Sequence, residues 1–141
     1  MKKMNDYKNI ILYLNEQNYK CIILKPFDKQ VDETLLVTFN YTNHIVYVLS
    51  FEMDAQTVDF GNMCKISSNL TVGYTCRLSY EEFSNEKVMR IFESIKEDVI
   101  KIGKTDFWDD GMRVQEIFSE PLKTVDEFIE QHHNRYYKSN L

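Results

Sequence analysis

The residues best suited to chemistry in this 141-residue chain are three histidines, three cysteines and an acidic turn over residues 106–111. His132 and His133 are neighbours, so on a helix their side chains diverge by about 100°. Zinc sites on helices need ligands one turn apart, as in His-Glu-x-x-His, and that spacing is absent. Cys21, Cys64 and Cys76 are odd in number, contain no C-x-x-C and sit among apolar neighbours, where a free thiol behaves as a small hydrophobe. The turn carries Asp106, Asp109, Asp110 and Gly111, but a calcium loop needs oxygens at alternate positions and a closing glutamate. Phe107 and Trp108 interrupt that alternation; they suit inward packing or an aromatic anchor for a partner. Asp59-Phe60-Gly61 matches a kinase tripeptide in a chain lacking the other kinase parts, and Glu81 and Glu82 are sequence neighbours at a strand end rather than a facing pair. No nucleophile elbow, phosphate-cradling glycine loop or dinucleotide fingerprint occurs. The expectation is no catalytic residue, no metal and no cofactor, hence no enzyme.

The elements that would position any site are those of one globular domain over residues 1–141. Hydrophobic residues make up 43% and charged residues 28%, with only four Gly and two Pro, a composition that folds and leaves little for flexible linkers. The net charge of −5 is unevenly spread. Residues 1–30 carry six lysines against three acids; residues 31–60 carry five acids and no base; residues 105–141 carry eight acids against four bases. No basic stripe suited to phosphates appears, so nucleic acid is not an expected partner. An acidic face could steer a basic protein. No signal-length apolar segment follows Lys2 and Lys3, and no apolar run approaches a membrane span, so the expected location is the cytoplasm and no membrane partner is expected.

Periodicity supplies the order. Tyr7, Ile10, Ile11 and Leu14 form one helical stripe, with Asn18 as a left-handed stop. Residues 19–25 read as a strand ending at Pro26. Residues 33–41 and 45–53 alternate as a hairpin around Thr42-Asn43, with Leu35, Val37, Phe39, Ile45, Tyr47, Leu49 and Phe51 on the core face. Leu36, Val46 and Val48 make the second face more apolar than a wet face needs; they either bind a partner or lie under the C-terminal helix. Residues 54–61 suggest a short helix, 63–67 a short strand, and 70–79 a strand with Gly73 as a bulge. Ser84 caps the best helix, with Val88, Ile91, Phe92, Ile95, Val99 and Ile102 as its stripe and the pairs Glu86–Arg90 and Glu97–Lys101 on its wet side. Thr124 and Glu127 form a capping box for a last helix whose stripe is Val125, Phe128, Ile129, His132 and Tyr136. The expected fold is α+β: an antiparallel sheet of about five strands with helices on one face. The order is α-β-β-β-(α)-β-β-α plus a C-terminal helix, with a core over about 5–103 and an extension over about 104–141.

The segment 62–79, NMCKISSNLTVGYTCRLS, followed by the helix from Ser84, resembles the YbjN family, which shares a type III secretion chaperone-like fold. The resemblance covers roughly residues 5–103. It implies a twisted antiparallel sheet with helices on one face and a role in binding protein chains, often as a homodimer. It offers no catalytic residue to carry over, and the C-terminal helix departs from it. The functional expectation is a non-enzymatic protein-binding module: an adaptor, a chaperone-like factor or an immunity-type inhibitor. The competing expectation is a small-ligand binder with an apolar pocket between sheet and helices. Phe107, Trp108, Leu36, Val46 and Val48 are the candidate partner-binding residues.

Overall fold

Alternating β-branched and aromatic residues dominate the first half of the chain, and the computed structural model lays them down as a sheet. The structure describes residues 6–28, 33–39, 44–52, 54–66, 68–102 and 118–139. Helix α1 (Asp6–Glu16) leads into β1 (Tyr19–Pro26), β2 (Glu33–Phe39), β3 (Val46–Glu52), β4 (Thr57–Ile66) and β5 (Asn69–Ser79). Helix α2 (Asn85–Ile102), helix α3 (Pro121–Gln131) and β6 (Tyr136–Ser139) complete the chain. The fold is α+β. The six strands form one antiparallel sheet in the order β5-β4-β3-β2-β1-β6. The sixth strand comes from the C-terminal extension and pairs with β1.

Local chemistry explains most boundaries. Asn18 stops α1 with φ 69°, a backbone region asparagine tolerates. Ser84 Oγ accepts the Lys87 N–H at 3.2 Å and so caps α2. Residues 54–56 form a turn, with Gln56 at φ 54°, and no helix forms over 54–61. The β4 strand begins at Thr57, earlier than the spacing suggested, because Val58, Phe60, Asn62 and Cys64 alternate onto one buried face. Its bulge lies opposite the Phe60–Gly61 step, where Thr75 is the extra residue of β5 rather than Gly73. Gly61 is required there: a Cβ would stand 2.1 Å from the Gly73 carbonyl oxygen. Helix α3 also starts a turn early, at Pro121, since proline has no N–H to lose at a first helical position. No capping box forms; Thr124 Oγ1 instead donates to the Glu120 carbonyl at 3.2 Å.

Helices cover both faces of the sheet, not one. On one face α1 and α2 bury Ile10, Leu14, Tyr47, Phe60, Phe92 and their neighbours. Their aromatic rings are stacked tightly: Tyr47 on Phe92 at 4.3 Å and 13°, with Tyr19 5.5 Å from Phe92. On the other face α3 lays Val125 and Phe128 over Leu24, Val46, Val48, Met63 and Leu70. Helix α3 ends at Gln131, and its expected stripe member Tyr136 lies in β6, packed against the same cluster. The C-terminal segment is therefore part of the sheet and of the second core.

His132 shows how strongly the sheet coils. Its Nε2–H donates to the Leu70 carbonyl of edge strand β5 at 3.1 Å, while its own carbonyl accepts the Tyr136 N–H of the opposite edge at 3.1 Å. Gln131 Oε1 accepts the Leu70 N–H at 2.9 Å. Side chains of one helix end thus occupy the backbone of an edge residue, a device that blocks unwanted strand pairing.

Candidate docking surface

Among the described residues no three His, Cys, Asp or Glu side chains converge as a metal site would require. His132 binds the Leu70 carbonyl, and His133 Nδ1 donates to the Glu130 carbonyl at 2.9 Å. Glu82 closes a turn: its Oε1 accepts the Ser79 hydroxyl at 2.9 Å and, more distantly, the Ser79 N–H at 3.5 Å, while Ser79 Oγ accepts the Glu82 N–H. Those bonds hold the Glu82 carboxyl below the usual carboxylate range. Burial pushes the Cys21 thiol up to about 12 and the Cys64 thiol upward too, which disfavours the thiolate at both.

Of the residues singled out in the sequence, Val46 and Val48 are fully buried beneath α3 and offer nothing to a partner. The Leu36 backbone pairs with Ile22 and Val48 in the middle of the sheet. Phe107 and Trp108 lie outside the described residues. The space between sheet and helices, where a ligand pocket was the competing expectation, is filled at its centre by the Tyr19, Tyr47 and Phe92 rings.

A concave surface lies instead on the outside of α2, closed on one side by Tyr13 of α1. It is an open depression of about 630 Å³. Its apolar floor is Tyr13 and Met89, both half-buried against the core. Asn85 and Ser94 add neutral polar groups, and Glu86, Arg90, Glu93 and Glu97 form the rim. Arg90 is engaged with Glu86 at 2.6 Å, as the spacing predicts. Glu97 and Lys101 do not pair, which leaves Glu97 facing the depression, and Lys96 reaches Glu93 only at 4.0 Å. Exposed contacts of this kind are worth roughly 0–1 kcal/mol each, so the rim is free to exchange them for a partner's charges. Behind the rim, burial first and then the Glu93 and Tyr13 charges push the Tyr19 phenol up to about 12.

Spacing alone gives this side of α2 as an ordinary wet face. The recurrence of Glu86, Met89, Arg90, Glu93 and Glu97 along one stripe was legible, but the contribution of Tyr13 from another helix was not. A second exposed feature also escaped it: Phe27 and Tyr137, 61% and 43% exposed, with ring centroids 5.1 Å apart at the β1–β6 edge. No helix of the described residues is long and apolar enough to cross a membrane. No protein-family model, curated protein or solved structure matches this chain.

Proposed function

We propose that the chain is a non-enzymatic protein-binding module of the cytoplasm that holds its partner in the depression along α2. The observation that carries this reading is the shape and chemistry of that surface. It is open, has an apolar floor and is rimmed by three carboxylates against one arginine. Open surfaces with a small apolar centre and a polar rim suit macromolecular partners; a small ligand needs an enclosing cavity that buries most of it. The excess of carboxylates favours a partner with basic residues and fast, salt-sensitive association. An adaptor, a chaperone-like factor and an inhibitor of a basic protein all fit, as does the dimeric, chain-binding role implied by the YbjN resemblance.

The test is affinity isolation from the native host with wild-type protein and a Glu93→Lys/Glu97→Lys variant. Wild type retains one stoichiometric protein partner that the variant loses while keeping its melting temperature. A small molecule retained equally by both, with no protein, contradicts the reading.

A further inference from the structure

The β1–β6 edge combines an exposed aromatic pair with three cations that form no ion pair among the described residues. Phe27 lies against Tyr137, both rings open to solvent. Lys25 is the ladder partner of Tyr137, Lys138 is the next residue, and the Arg135 guanidinium lies 5.4 Å from the centre of the Tyr136 ring. None of Lys25, Arg135 and Lys138 forms an ion pair among the described residues, whereas Arg77, Arg90 and Lys123 each do. Lys25 shares the face of Tyr137, alternation turns Lys138 to the face of Tyr136, and Arg135 lies against the Tyr136 ring, so cations flank the exposed rings on both faces of the edge.

The main chain of β6 adds a second element. The Phe27 N–H donates to the Arg135 carbonyl at 3.1 Å. Antiparallel pairing alternates, so Tyr137 and Ser139 turn their backbone groups toward β1, and Tyr136 and Lys138 turn theirs outward. The Tyr136 N–H is taken by the His132 carbonyl. The Tyr136 carbonyl and both backbone groups of Lys138 therefore face away from the sheet. We propose that this edge docks an acidic, extended segment of a partner protein as a seventh strand beside β6. The main chain of Lys138 supplies the pairing, Lys138 and Arg135 take carboxylates on the Tyr136 face, and an apolar side chain of the segment rests on Phe27 and Tyr137 on the other. A lysine at the centre of the edge repels basic strands and discourages copies of this chain from pairing edge to edge. This surface is distinct from the depression along α2, and its occupant has the opposite charge.

The probe is an eight-residue peptide alternating glutamate with valine, set against its lysine counterpart and against phosphatidylserine vesicles. The glutamate peptide shifts amide resonances over residues 24–27 and 135–139 and protects the Lys138 N–H from exchange. Its affinity falls about tenfold or more between 50 mM and 500 mM salt. The outward N–H of Lys138 makes no bond to β1, so Lys138→Pro keeps the ladder while removing the donor, and it weakens the peptide at least tenfold. A glutamate peptide N-methylated along its pairing edge tests the same bond from the ligand side if that variant melts early. Arg135→Glu reduces the preference for glutamate over lysine. Shifts mapping elsewhere, an unaltered affinity for both Lys138→Pro and the methylated peptide, or binding of vesicles without binding of peptide overturns the proposal.

Discussion

Phe92→Ala tests the aromatic centre on which the whole fold depends. Phe92 is 1% exposed, stacked on Tyr47 at 4.3 Å and tilted against Tyr19 at 5.5 Å. Removing such a ring costs the lost transfer energy plus the cavity left behind, about 3–5 kcal/mol, within which each aromatic contact accounts for about 0.5–1.5 kcal/mol. Domains of this size hold only about 5–15 kcal/mol in total. At about 3–5 °C per kcal/mol the melting temperature falls by about 10–25 °C. Urea unfolding followed by circular dichroism gives the loss directly, with Ile100→Ala, at a site 40% exposed, as a control changing by less than about 0.5 kcal/mol. A Phe92→Ala loss below about 1 kcal/mol, or one equal to the control, refutes the placement of α2 on the sheet. A cycle of Tyr47→Leu and Phe92→Leu shows coupling of about 0.5–1.5 kcal/mol when the two rings stack as described.

Three further outcomes follow from the same structure. Tyr19 and Cys21 have raised pKa values in the fold, both near 12. Their neutral forms are favoured by folding, so the stability they confer is complete below their unfolded values, about 10 and 9. It is lost as pH rises toward 12; a flat urea midpoint between pH 9 and pH 11.5 contradicts this. Gly61→Ala puts a methyl 2.1 Å from the Gly73 carbonyl oxygen, and the backbone rather than a side chain must yield; a melting temperature within 2 °C of wild type (about 0.5 kcal/mol) argues against the bulge. Val48→Asp buries an unpaired carboxylate under α3 and costs several kcal/mol, whereas an intact melt accompanied by lost partner binding would return Val48 to the surface.

Fold class, five strands and the buried stripes of α1 (Ile10, Ile11, Leu14) and α2 (Val88, Phe92, Ile95, Val99) were legible because periodicity reports which side of a strand or helix is dry. Asn18 and Ser84 ended and opened helices as their chemistry dictates. Three features were hidden for physical reasons. Residues 57–62 contain Asp59, Gly61 and Asn62, poor strand formers singly; their placement depends on cross-strand neighbours and on the close approach of Gly61 to Gly73. Tyr136 fits a helical stripe as well as a strand, and only the turn at His132, tied to Leu70, decides between them. On the second face of the hairpin, Val46 and Val48 are buried because α3 covers them. The depression along α2 joins residues some 80 positions apart, Tyr13 and Met89 to Glu97, which no local spacing reveals. Asn62 Oδ1 is buried without a hydrogen-bond partner among the described residues.

The central claim, a protein partner held along α2, is tested most directly by site-specific photocrosslinking in the native host. A benzophenone residue placed at Ser94, in the depression, is compared with one at Lys123, exposed on α3 and away from it. The account predicts one protein adduct from the Ser94 position, absent from the Lys123 position and suppressed by Glu93→Lys/Glu97→Lys. No adduct from Ser94, or the same adducts from both positions, contradicts it.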